Sequence, residues 1–166
     1  MIEVGFYVAA AVALFATTMV ITNTNPVHAL LYLVLSLLAI AVVFFTLGAP
    51  FAGVLEVIIY AGAIMVLFVF VVMMLNLGRR TMEQERQWLK GSFWVGPVVL
   101  AAILLGELGV LLWPRESLTS AGLTIIEPKA VGIALYGEYL LAVELASMLL
   151  LGGLVAAYHL GRHEDV

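Results

Sequence analysis

The sequence has no cysteine among its 166 residues. A disulfide, a thiolate zinc site and a cysteine-held iron–sulfur cluster are therefore all excluded. Charge is scarce too. Only 11% of residues are Asp, Glu, Lys or Arg, against about 25% in ordinary soluble domains. The net charge is −4 and no basic tract occurs, which argues against nucleic acid as a partner. Residues 1–78 contain no lysine or arginine, and only two acidic side chains, Glu3 and Glu56. The amino terminus, MIEVGFYVAA, lacks the basic segment of a secretory leader, so we read it as the start of a retained span. Neither a P-loop nor a GxGxxG motif is present, and no nucleophile–base set stands out. On this reading the chain itself binds no nucleotide, metal or redox cofactor.

What fills the sequence instead is hydrocarbon. Apolar residues make up 64% of it, and the mean hydropathy is +1.17. A bilayer-spanning helix needs roughly 20 apolar residues. The apolar runs here are long and uniform, whereas barrel strands alternate apolar with polar residues over about ten positions. Helices are the form that satisfies their backbones in lipid. The expected fold is an all-α polytopic membrane protein, a single membrane domain over residues 1–166. Five spans are expected, at 4–22, 27–47, 52–77, 93–113 and 138–160. Turn-forming residues mark the first two breaks, Thr22 to Pro26 and Gly48-Ala49-Pro50. A polar loop, 79–91, follows the third span, and the longest connection is 114–137. The apolar stretch AVGIALYG within that connection is too short to span.

Lysine and arginine counts set the expected orientation. Arg79, Arg80, Arg86, Lys90 and Arg162 fall on one side, and Arg115 and Lys129 on the other. The positive-inside rule then places loop 79–91 and the carboxyl terminus in the cytoplasm. The amino terminus and loop 114–137 become periplasmic. Aromatic residues gather at span ends, as in an interfacial belt: Phe6, Tyr7, Trp88, Phe93, Trp94, Trp113, Tyr139 and Tyr158.

Three carboxylates interrupt the hydrocarbon: Glu56, Glu107 and Glu144. A mid-bilayer charge costs roughly 3 kcal/mol on insertion scales, so such groups face protein or water. Two readings stay open for each, proton exchange or an interhelical hydrogen bond. Glu107, near a span end, is also compatible with a lipid-facing or loop-facing position. Tyr60 follows Glu56 by four residues and shares its helix face, and Ala63 continues that stripe. Ala61 and Gly62 lie beside Tyr60. A glycine here admits a close neighbour or weakens the helix. Ser147 follows Glu144 by three residues and shares its face. His28 and His159 read as interfacial histidines rather than haem ligands.

The stretch TNPVHALLYLVLSLLAIAVVFFTLGAPFAGVLEVIIYAGAIMVLFVFVVMMLN, residues 24–76, resembles the subunit J (subunit 6) family of proton-pumping NADH–quinone oxidoreductase, respiratory complex I. EQERQWL at 83–89 and KAVGIALYGEYLLAVELASMLLL at 129–151 extend the likeness over nearly the whole chain. The resemblance implies a non-catalytic subunit of the membrane arm in a bacterial inner membrane. Its implied partners are the quinone-site and antiporter-like subunits, with no direct contact to NADH. FMN, iron–sulfur clusters and quinone would sit in partner subunits. The resemblance also implies a π-bulge in the third span next to Tyr60 and Gly62, able to change between bulged and regular forms. Glu56, Tyr60, Gly62 and Glu144 are thereby the candidate proton-path or gating residues, with Ala61, Ala63, Glu107 and Ser147 secondary. The family pattern carries no role for Glu107. Two other classes remain compatible with the residues: a self-contained carrier or channel, and a related subunit of a cation antiporter or membrane hydrogenase.

Overall fold

A computed structural model describes residues 2–74, 94–112 and 125–162. The polar loop 79–91, the last residues of the expected third span, the segment 113–124 with Arg115 and Glu116, and the final four residues lie outside the described residues. Among the described residues there are helices and no strands. They are α1 (Ile2–Thr22), α2 (Pro26–Thr46), α3 (Pro50–Leu55), a π-helix π1 (Glu56–Ile64), α4 (Met65–Met74), α5 (Val95–Leu112), α6 (Pro128–Tyr136) and α7 (Leu140–Gly161). The run α3–π1–α4 forms one uninterrupted third span. Four helices are long and apolar enough to cross a bilayer: Glu3–Thr22, Pro26–Thr46, Pro50–Val72 and Leu140–Gly161. α5 is shorter; its 18 residues measure about 27 Å. The chain is thus an all-α polytopic membrane protein.

The breaks in the sequence become identifiable caps. Asn25 ends the α1–α2 turn and caps α2: its side-chain oxygen accepts from the Val27 N–H at 2.9 Å and the His28 N–H at 3.4 Å. Pro26 follows at the first helical position, where its missing N–H costs nothing. α2 ends in a Schellman turn. Gly48 has φ 78°, its N–H donates to the Phe45 carbonyl, and the Ala49 N–H donates to the Phe44 carbonyl. Pro50 then opens α3 at once, so the third span begins two residues earlier than hydropathy implies. Glu56 accordingly lies about 9 Å into its span rather than about 6 Å.

The chain divides into two compact units, residues 1–125 and 126–166. In the first, α2 is the hub and contacts α1, α3, π1, α4 and α5. Ala9, Val12 and Ala16 of α1 meet Leu35, Ala39 and Val42 of α2, and Leu104 of α5 joins them. Spacings of three and four keep these side chains on one helical face. The alanines let the backbones approach closely, as membrane helix pairs require. Ala41 and Phe45 lie on another side of α2 and receive α3. One polar clasp crosses the α1–α2 seam: the Thr17 and Ser36 hydroxyls are 2.8 Å apart, and each also reaches the Ala13 carbonyl. In the second unit, α6 packs on α7. The stretch AVGIALYG proves to belong to this short helix, only nine residues long, so it does not span.

Candidate functional site

The third span is not an α-helix throughout. From Glu56 to Ile64 its backbone is π-helical, nine residues in all. π-helices are rare, and they concentrate at functional sites. The segment is longer than the single-turn bulge implied by resemblance, and it covers the same residues. The local register is visible at its end, where the Met65 N–H reaches back to the Tyr60 carbonyl, five residues earlier, as well as to Gly62.

At Gly62 an added Cβ would be in tight contact with the span's own backbone in this form. A Cβ placed there would stand 3.1 Å from the Val57 carbonyl oxygen, again five residues back. Among the described residues the only atom within 4 Å of that Cβ, the helix's own nearby backbone aside, is this carbonyl oxygen of the same span. An α-coiled segment would carry a Cβ at the same position without special accommodation, as alanine does in any helix.

The structure brings Glu56, Tyr60, Ala61, Gly62 and Ala63 together on π1. Glu56 is half-buried at its first residue, and Ala61 and Gly62 are half-buried too. Tyr60 is 51% exposed, and Ala63 is exposed. Beyond π1, Met65 is 2% exposed while Phe68 is 54% exposed. The face that carries Tyr60, Ala63 and Leu67 therefore points away from this chain's own first unit. Exposed apolar surface of this extent belongs against lipid or another membrane subunit.

The other candidates sit elsewhere. Glu107 is half-buried on α5, and its Oε2 is buried without a hydrogen-bond partner among the described residues. Glu144 and Ser147 belong to α7 in the second unit. The Ser147 hydroxyl donates to the Val143 carbonyl at 2.9 Å, the usual backbone return of a serine in a helix. It is therefore not engaged with Glu144.

Sequence reasoning missed two features near the site. Gly53 is buried three residues before π1. A Cβ there would lie 3.0 Å from the Ala41 carbonyl oxygen and 3.1 Å from the Phe45 ring. Gly96, near the start of α5, similarly leaves room for the hydroxyl of buried Tyr32. Glycine at an interhelical crossing was the only available signal for both, and the sequence holds 15 glycines.

Residues 16–160 match the family described as NADH-ubiquinone/plastoquinone oxidoreductase chain 6. A relative from Pseudomonas aeruginosa, NADH-quinone oxidoreductase subunit J, is 67% identical over 162 residues, covering 98% of each chain. The subunit J of Escherichia coli is 62% identical over 164 residues, 98% of this chain and 88% of that one. One from Buchnera aphidicola subsp. Schizaphis graminum is 47% identical, covering 98% of this chain and 99% of the relative.

Proposed function

We infer a role from the premise that this chain belongs to the NADH-ubiquinone/plastoquinone oxidoreductase chain 6 family: it is a membrane-arm subunit of NADH–quinone oxidoreductase that couples redox chemistry elsewhere to proton translocation. In this reading the chain performs no redox step. NADH oxidation at FMN, electron transfer along iron–sulfur clusters and quinone reduction take place in partner subunits. The chain lies in the inner membrane with its amino terminus periplasmic and its carboxyl terminus cytoplasmic. Its neighbours are the quinone-site and antiporter-like subunits.

The observation that carries the mechanism is the π-helix from Glu56 to Ile64. An extra residue in a helical turn rotates everything beyond it by about 100° relative to a regular helix. Converting π1 to α-helix would turn Met65, Phe68, Val69 and Val72 by that amount. At one setting these apolar side chains exclude water. At the other they leave room for a water file linking Glu56 to carboxylates of neighbouring subunits. The third span is then a gate for protons rather than a substrate site. Tyr60 contributes a ring that sets the packing and a hydroxyl that can bond in either state.

Tyr60→Ala and Gly62→Val test this reading. The complex should assemble, and electron transfer from NADH to a hydrophilic acceptor should survive. Coupled NADH–quinone turnover and proton pumping should fall together. If both variants assemble and pump like the wild type, the third span is scaffold and the gate is wrong.

A further inference from the structure

A change of coil in π1 leaves open which end of the third span turns. The two ends are seated differently on α2. Before π1, Gly53 is buried on the side that faces the Ala41 carbonyl and the Phe45 ring. Even a methyl group there would stand 3.0 Å from that carbonyl oxygen. If α3 turned by one residue's worth, Ala52 or Val54 would replace Gly53 at this contact. Each carries a Cβ, which this seat meets with a backbone oxygen at 3.0 Å, tighter than ordinary contact.

Beyond π1, the seat is of another kind. Met65 is the buried residue, and its neighbours Ile64 and Val66 are exposed. Turning α4 by one residue's worth would withdraw Met65 and present Ile64 or Val66. All three are apolar and of similar volume, and cores tolerate such exchanges well. The whole of α4, MVLFVFVVMM, is apolar on every side, so no polar group is dragged into a new environment by rotation.

From this asymmetry we infer that Gly53 is a positioning residue: it locks α3 onto α2, so that a coil change in π1 is delivered wholly to α4. The inference rests on the gate proposed above and assigns its fixed end. Nothing in Gly53 touches the proton route. It acts by denying α3 an alternative register, as a thrust bearing holds one end of a shaft.

The absence of cysteine from this chain allows a direct test in the intact complex. Single cysteines at Val54 and at Phe68, both on the surface of this chain, are labelled with a membrane-permeant maleimide at rest and during NADH-driven turnover. Labelling is read on this subunit's band after denaturing separation. The expected result is a change of about threefold or more at V54C's counterpart F68C on turnover, with V54C constant within about 1.5-fold; these thresholds correspond to a gated and an ungated site at roughly 0.6 kcal/mol and 0.2 kcal/mol. Adding Gly53→Ala should spread the change to position 54 and lower coupled turnover at least about twofold. Phe45→Leu removes the ring that lines the seat and should act in the same direction, more weakly because the Ala41 carbonyl remains, should Gly53→Ala fail to assemble. Equal changes at 54 and 68 in the parent would overturn the fixed seat while leaving the gate standing. No change at either position, together with wild-type pumping by Gly62→Val, would overturn the gate and the seat with it.

Discussion

Replacing Gly62 by alanine should push π1 towards α-helix, by an amount the structure allows to be worked out. One of two candidate contributions sets the sign. The helix-propensity difference of about 1 kcal/mol between glycine and alanine is felt in both helical coils and cancels between them. In the π form that Cβ would sit 3.1 Å from the Val57 carbonyl oxygen, closer than ordinary contact. Relieving it requires the backbone to give by a few tenths of an ångström, and an overpacking penalty of about 1 kcal/mol is the lower end of the usual range. The shift is therefore about 1 kcal/mol towards α, or roughly a fivefold change in the ratio of the two coils. A gate that must visit both forms in each cycle would slow by up to that factor. Gly62→Val should be more severe, since a β-branched side chain crowds the preceding turn further. Membranes carrying each variant are compared in NADH–quinone turnover, proton uptake and NADH-driven reduction of a hydrophilic acceptor. Amide hydrogen exchange at residues 60–65 reports the coil. If Gly62→Ala leaves both exchange and coupled turnover at wild-type values, the π register is not in a functional equilibrium and the reasoning fails.

Other expectations follow from the packing and the topology. Gly96→Ala drives a Cβ into the Tyr32 hydroxyl, so α2–α5 packing should lose about 1–3 kcal/mol and assembly should fall. Tyr32→Phe should restore it, because the next ring atom lies 3.5 Å away; unimproved assembly in the double variant would contradict the contact. Ser36→Ala removes the α1–α2 clasp and should lower the complex's thermal midpoint modestly, in line with about 0.6–2 kcal/mol for such a bond in membranes. An unchanged midpoint would mean the clasp adds nothing beyond its packing. For topology, a phosphatase reporter fused after Glu116 should be active and one fused after Arg86 inactive; the opposite pattern reverses the orientation. Deleting the chain should abolish NADH-driven pumping, and normal pumping in a clean deletion would remove the coupling role.

The sequence made the spans legible because lipid imposes so blunt a requirement. Runs such as PVHALLYLVLSLLAIAVVFFT have no alternative to helix in a bilayer, and Asn25, Gly48 and Pro50 mark their ends by known cap chemistry. The candidate residues on π1 stood out for the same reason, since one carboxylate and one phenol break a run of hydrocarbon. The π coil itself has no such signature in composition. EVIIYAGAI reads as an ordinary apolar helix, and only the resemblance pointed to a bulge there. Gly53 and Gly96 were illegible because a glycine's role depends on what approaches it, and that is a property of the crossing rather than of the local sequence. Ser147 shows the converse limit, since a helical face shared with Glu144 does not reveal that its hydroxyl donates to the Val143 carbonyl.

The hub position of α2 has a consequence for how the chain is made. Its contacts with α1 and α3 are between elements joined by connections of only three residues. A hairpin with such a short turn and a capped second helix can pair as soon as both segments have left the ribosome. The third span then arrives on a finished surface, and α3 meets its seat at Ala41 and Phe45 before α4 is complete. Synthesis runs from the amino terminus, and folding units form in that order. Lesions in α1 and α2 should consequently show as lost subunit, cleared by proteolysis during insertion. Lesions in π1 and α4 come after the template is set, and they should show as a full-abundance complex that turns over badly.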